Sequence, residues 1–316
     1  MEQKKKILLL TNGTSGRGLA REKLFDILEE LTVRGGQVTV YPIVPSRGLV
    51  TADYLRQTLG EHSPFDVVAC MGGDGTLNHV VSDLMALECR PVVGYIPSGS
   101  TNDFANSLGL TDQTLAACET IMSGREFAID VGRFNDRYFN YVAGFGAFTD
   151  VSYETGQDIK NVLGHAAYIL QGMMTLPHAL SCRVHMRIET DGVPLQEGDY
   201  IYGAVSNATS IGGFASMGAD SVKMDDGLFE VMLIRAPRRL SDLNSIVTSL
   251  LSGKPDNKYV EFFRTDSLQL VSSEPVNWTL DGEFGGSRTQ VDIRLCHRAI
   301  TILVPQQEKA EQPVEE

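Results

Sequence analysis

The sequence predicts an α/β domain built on a parallel sheet, followed by a domain that is mostly β. Three observations carry that prediction. In the first 130 residues short apolar runs alternate with stretches of helical periodicity, the rhythm of a parallel sheet with helices on its faces. Three of those runs end in glycine-containing loops, after Leu10, Cys70 and Ile96. After Ile129 the rhythm changes, and apolar runs follow one another across Gly, Asp, Asn and Pro turns.

The elements follow in order. Lys6 to Leu10 reads as a buried strand, and Asn12-Gly13-Thr14-Ser15-Gly16-Arg17-Gly18 as the loop after it. Leu24, Ile27, Leu28 and Leu31 recur at helical spacing until Gly35-Gly36 stops them. Gln37 to Val44 is a second strand, Thr51 to Leu59 a helix, Asp66 to Cys70 a third strand, Leu77 to Leu87 a helix, and Val92 to Ile96 a fourth strand. Residues 1–130 are therefore expected to form a Rossmann-like domain. In residues 131–298 the expected strands are Tyr138–Ala143, Cys182–Glu189, Tyr200–Asn207, Leu228–Ile234, Ser267–Val271, Val276–Leu280 and Gln290–Leu295. Helical stretches near Asn161–Leu176 and Leu240–Leu251 interrupt a β-sandwich or partial barrel. Residues 299–305 hold one more short strand whose neighbour the pattern does not identify. The Gln/Glu-rich residues 306–316 are expected to be disordered.

Composition narrows the function. The chain has 316 residues, 27 basic against 40 acidic, for a formal charge of −13. A field of that sign repels nucleic acid, so none is expected as a partner, and membrane contact should be local and transient. The five cysteines (Cys70, Cys89, Cys118, Cys182, Cys296) are odd in number, widely spaced and without a C-x-x-C pair. They read as reduced thiols of a cytoplasmic protein. The charged Met1–Lys6 leads into a run of only four apolar residues before Thr11, too few for a signal peptide, and Ile159–Leu180 is interrupted by polar residues and Pro177. There is no Walker P-loop, G-x-S-x-G elbow, H-E-x-x-H or EF-hand loop. The six histidines are scattered and read as structural or solvated.

The chemistry concentrates in a few blocks. Gly72-Gly73-Asp74-Gly75-Thr76-Leu77-Asn78 joins a buried strand to a helix, where glycines permit a tight turn and the helix N-terminus attracts phosphate. Asp74 in such a turn calls for a cation between carboxylate and phosphate, hence Mg²⁺. Pro97-Ser98-Gly99-Ser100-Thr101-Asn102-Asp103-Phe104-Ala105 and the Asn12–Gly18 loop hold equivalent positions at the carboxyl ends of parallel strands, where α/β sheets bind ligands.

Gly72-Gly73-Asp74-Gly75-Thr76, followed by Ser98-Gly99-Ser100-Thr101-Asn102-Asp103-Phe104-Ala105, resembles the diacylglycerol kinase catalytic domain. Asp225-Asp226-Gly227-Leu228 and Leu280-Asp281-Gly282-Glu283 resemble the later blocks of its soluble bacterial lipid-kinase branch, in the same order. The resemblance implies that Asn12, Gly13, Thr14, Ser15 and Gly16, with Gly72, Gly73, Asp74, Gly75, Thr76, Leu77 and Asn78, hold the phosphates of ATP, and that Ser100 also touches the nucleotide. It implies that Asp74, Asp103 and Asp130 hold a catalytic Mg²⁺, partly through water, and that Glu283 is the general base, with Asp281 as runner-up. It assigns a second, structural divalent ion to Asp226 and the carbonyls of Lys223 and Leu228; oxygen ligands suit Mg²⁺, Mn²⁺ and Ca²⁺ alike. Because Glu283 belongs to the second domain, the site is expected in the interdomain cleft. The acceptor is then a lipid alcohol, diacylglycerol first, and a homodimer is a family-level expectation.

Some residues depart from the family pattern. Gly13 stands where Pro is usual, His79 where Glu is usual, and Pro45-Ser46 where a nucleotide-contacting Thr is usual. Two rivals stay open: an NAD kinase, against which the absence of an Asn-Glu dipeptide counts, and a nucleotide-binding regulator without transfer activity. Met173-Met174 reads first as part of a core-packing helix and second as a lipid groove. Arg235, Arg238 and Arg239 read first as a solvated basic turn and second as a headgroup contact.

Overall fold

The structure, a computed structural model, describes residues 4–13, 19–99, 102–146, 183–207, 210–211, 214–215, 223–239, 242, 245–246, 248–250 and 258–306. The chain divides into two compact units, Met1–Ala128 with Ile300–Glu316, and Ile129–Ala299.

In the first unit, strands β1 (Lys5–Asn12), β2 (Gly36–Ile43), β3 (Val67–Gly72) and β4 (Val92–Pro97) lie parallel in the order β2-β1-β3-β4. Ile7 to Leu10 and Val67 to Met71 are buried, as unbroken apolar runs covered on both faces must be. Helices α1 (Leu19–Glu22), α2 (Leu24–Val33), α3 (Thr51–Leu59), α4 (Asp74–Met85), α5 (Asp103–Ser107) and α6 (Thr114–Ser123) fill the connections. From α2 and α6, Ile27, Leu31, Ala117 and Ile121 pack on Ile7, Leu9, Ala69 and Met71. Helix α3 packs on α4, which packs on β3, burying Leu55, Leu59, Leu77, Val80 and Leu84. Helix α4 starts at Asp74, three residues before the expected helix, so the Asp74-Gly75-Thr76 stretch is its first turn.

The second unit is an antiparallel, sandwich-like assembly. Its strands are β5 (Arg125–Phe134, which runs in from the first unit), β6 (Arg137–Phe139), β7 (Val142–Gly146), β8 (Val184–Thr190), β9 (Val193–Ser206), β10 (Ser210–Ile211), β11 (Phe214–Ala215), β12 (Phe229–Arg235), β13 (Val260–Thr265), β14 (Ser267–Leu280) and β15 (Glu283–Val304). The long strands β9 and β14 each pair with β7 along one part and with β8 along another. One core joins Phe134, Phe139, Phe145, Tyr200, Phe229 and Trp278. Alternate residues of β9 and β12, among them Ile201, Met232 and Ile234, meet Ile246 and Leu250 in a second cluster. Residues 245–246 and 248–250 are helical, within the stretch expected at Leu240–Leu251.

Several expectations change. Tyr138–Ala143 is two strands, broken where the Asn140 and Tyr141 amides turn to a side chain rather than to a neighbouring strand. Ser267–Val271 and Val276–Leu280 are one strand with a register shift between Val271 and Val276. Gln290–Leu295 and Ile300–Val304 belong to the single strand β15, whose Ile302 pairs in parallel with Val93 of β4. That pairing gives the last apolar run its neighbour. The helix expected at Asn161–Leu176, with Met173-Met174, and the tail beyond Gln306 lie outside the described residues.

Candidate functional site

In the first unit three chain segments meet at the carboxyl ends of the parallel strands. The Asn12 amide, ending β1, donates to Thr76 Oγ1 in the first turn of α4 at 3.1 Å. Gly72 O, ending β3, accepts from Ser98 N at 2.8 Å and from the Tyr95 hydroxyl at 3.2 Å, which ties the loop after β4 to the α4 turn. Gly73 and Gly99 face each other closely. A Cβ on Gly99 would lie 2.8 Å from the Gly73 Cα and 2.7 Å from Asn102 Oδ1, so close approach of two backbones requires glycine here. Asn102, at φ 51°, closes its loop by exchanging side-chain bonds with Gly99 N and O at 2.9 and 3.1 Å.

Asp74 sits at the start of α4, preceded by the extended Gly73, which offers no side-chain cap. Its Oδ1 accepts from Phe104 N at 3.4 Å, so one carboxylate belongs to the N-terminal turns of both α4 and α5. Asp103 is the first residue of α5. Tyr95 is buried, and burial first, then the Asp74 charge, push its hydroxyl well above the usual tyrosine range, keeping it a neutral donor. Leu77 is buried in the core and offers this turn only its backbone, whereas Asn78 accepts from Ser82 at 3.3 Å. Thr14, Ser15, Gly16 and Ser100 lie outside the described residues.

In the second unit the Leu280-Asp281-Gly282-Glu283 block is a two-residue hairpin turn. Asp281 (φ 49°) and Gly282 (φ 84°) both adopt the left-handed region that such turns demand, and Leu280 pairs with Glu283. Asp281 is 6% exposed, and its carboxylate accepts from the amides of Asn140, Tyr141 and Val142 at 2.7, 3.0 and 2.9 Å. Those bonds commit Asp281 to anchoring the hairpin. Glu283, two residues on, is half-buried and is followed by Phe284, 57% exposed.

Asp130 also belongs to the second unit, and its contacts are with N–H donors. Oδ2 accepts from Gly227 N at 2.8 Å; Oδ1 accepts from Arg298 N at 2.7 Å and meets His297 Nδ1 at 2.9 Å. Asp225 is bound by Arg298 Nη2 at 3.0 Å. Asp226 Oδ1 accepts from Leu228 N at 3.1 Å, while Oδ2 is bound by Arg264. Among the described residues no three His, Cys, Asp or Glu side chains form a group able to hold a metal ion. No helix among them is long and apolar enough to cross a membrane.

Two family profiles divide the chain between them: the diacylglycerol kinase catalytic domain over residues 6–134, and the YegS C-terminal NAD kinase beta sandwich-like domain over residues 143–304. The diacylglycerol kinase of Bacillus subtilis (strain 168) is 33% identical over 310 residues, 98% of this chain and 99% of that protein. The chain belongs to the diacylglycerol kinase family. A Staphylococcus aureus diacylglycerol kinase (strain Newman) is 32% identical over 284 residues, covering 90% of this chain and 87% of that one. A crystal structure of a diacylglycerol kinase from Bacillus anthracis superposes with a TM-score of 0.72 at 20% identity, covering 96% and 98% of the two chains, a likeness of fold. Membership makes the chain a lipid-kinase-type phosphotransferase. Sequence reasoning singled out Asp74, Glu283 and the loop that holds Asn102, but gave no role to Asn102 itself, to Tyr95 or to the amides of Asn140 to Val142. An Asn where the backbone must turn left-handed was the one readable signal for these.

Proposed function

We propose that the protein transfers the γ-phosphoryl group of ATP to a lipid hydroxyl, with diacylglycerol as the preferred acceptor and phosphatidic acid as the product. The observation that carries this reading is the start of α4, where Gly72-Gly73 and Asp74 open a helix N-terminus directly after a parallel strand. Oriented amides and the helix field there favour phosphate oxygens. Asn12 and the Gly72–Asn78 turn would hold the phosphates, with Thr14, Ser15, Gly16 and Ser100 as further nucleotide contacts. Mg²⁺ bound with a nucleotide takes most of its ligands from phosphates and water and needs only one or two carboxylates. Asp74 and Asp103, at the starts of α4 and α5, fit that demand. When bound, such an ion would supply charge neutralisation to the phosphates.

Glu283 is the general base. A lipid hydroxyl is a poor nucleophile at neutral pH, and a carboxylate that takes its proton as attack proceeds favours transfer. The Asp281 anchor fixes the turn that carries Glu283, and exposed Phe284 beside it suits an acceptor with an apolar body. Asp130 acts through the Gly227 and Arg298 amides as a positioning residue. The protein works in the cytoplasm, touches membranes transiently and pairs as a homodimer. A second reading, NAD as acceptor, is favoured by the description of the profile matching residues 143–304. Incubation with γ-labelled ATP and a panel of diacylglycerol, other lipid alcohols and NAD separates the readings. Label in phosphatidic acid supports the proposal. Label in NADP, or in no acceptor while ATP binds, overturns it.

A further inference from the structure

The turn Met224-Asp225-Asp226-Gly227 carries two adjacent carboxylates, and each is met by a cation or donor of the chain itself. Arg264 on β13 spans two carboxylates: Nη2 binds Asp226 Oδ2 and Nε binds Glu230 Oε1 at 3.1 Å. Glu230 is 1% exposed, so the far end of this bridge is rooted in the interior. Arg298 binds Asp225, and its backbone N–H, with Gly227 N, is taken by fully buried Asp130. Gly227, at φ +81°, supplies the backbone conformation that lets the turn fold onto that carboxylate.

We propose that Arg264 and Arg298 supply, from within the chain, the positive charge that the family resemblance assigns to a second divalent ion at this turn. The ligand set that would hold the ion, the carbonyls of Lys223 and Leu228 with the Asp226 carboxylate, contains one charge. Affinity for a hard divalent cation rises with the number of charged oxygens. Here the single carboxylate already carries a guanidinium on one oxygen and the Leu228 amide on the other. Arginine stays protonated at any physiological pH, and its planar fork matches two carboxylates at once. A divalent ion on that oxygen would have to displace Arg264 Nη2 and break the fork that ties Asp226 to buried Glu230. The turn is therefore closed without metal.

The test is made without nucleotide or lipid, so failure of the kinase reading does not affect it. Mn²⁺ binding is followed by electron paramagnetic resonance, and melting temperature is compared in EDTA and in millimolar MgCl₂, for wild type, Arg264→Gln and Asp226→Asn. Wild type is expected to show no saturable Mn²⁺ that Asp226→Asn removes, and the same melting temperature in both buffers. Arg264→Gln is expected to melt lower in EDTA, to recover in Mg²⁺, and to gain one saturable Mn²⁺ site. A Mn²⁺ signal in wild type that Asp226→Asn leaves intact lies elsewhere and agrees with the proposal. A wild-type signal lost in Asp226→Asn overturns it, as does a folded Arg264→Gln protein that gains no site. If Arg264→Gln does not fold, the wild-type and Asp226→Asn comparison decides alone.

Discussion

Replacing Asp281 by alanine removes the anchor of the hairpin that carries Glu283. Three backbone amides, of Asn140, Tyr141 and Val142, donate to this carboxylate at 2.7 to 3.0 Å. A hydrogen bond to a charged group contributes about 1.5–3 kcal/mol, and a buried donor left unmatched costs about 1–3 kcal/mol. The three losses do not add fully, because the amides share one acceptor and water can reach half-buried Tyr141 and Val142. Asn140, 2% exposed, has no such relief. Asp281→Ala should therefore destabilise the second unit by about 3–5 kcal/mol, and Asp281→Asn, which keeps one acceptor oxygen, by about 1–3 kcal/mol. The chain's single tryptophan makes the assay specific. Trp278 is 1% exposed between Phe134 and Phe145, with ring centroids 5.0 and 4.9 Å away, so its fluorescence during urea denaturation reports this unit. A loss below about 1 kcal/mol for Asp281→Ala would refute the anchoring role.

Further outcomes follow from the same contacts. Gly99→Ala should force the two glycine turns apart, since its Cβ would fall 2.8 Å from the Gly73 Cα, and should weaken ATP binding about tenfold or more, ~1.4 kcal/mol, in a fluorescent-nucleotide titration. Tyr95→Phe should cost only about 0.5–1 kcal/mol in the same urea assay, read by circular dichroism, because Gly72 O keeps its bond from Ser98 N. Burial pushes the thiols of Cys70 and Cys118 up to about 12 and about 11. Raised values mean less thiolate at a given pH, so mass spectrometry after iodoacetamide at pH 8 should find both unmodified in the native protein and alkylated in urea. Native labelling of Cys70 at the rate seen in urea would contradict its buried position in β3.

The first unit was legible because its signals are local. Unbroken apolar runs such as Ile7–Leu10 mark doubly covered strands, and the turn after Cys70 announces itself by its glycines. What stayed hidden depends on partners distant in sequence. Nothing near Asp281 says that its carboxylate serves amides some 140 positions earlier. The pairing of Arg264 with Asp226 and Glu230 joins β13 to a turn and a strand 38 and 34 residues earlier, and Val260–Thr265 escaped notice because Glu261 and Arg264 break its apolar pattern. The break at Asn140-Tyr141 within an otherwise continuous run follows from the same cause: Asp281 competes for amides that a strand would use.

The most direct measurement compares wild type and Glu283→Gln for transfer of labelled γ-phosphate to diacylglycerol in mixed micelles, with ATP binding measured on the same samples. Wild type should form phosphatidic acid; Glu283→Gln should bind ATP equally well and turn over about 10²–10⁴-fold more slowly, the usual contribution of a general base. Turnover of the variant within a factor of about three of wild type would contradict the assignment of proton abstraction to this carboxylate.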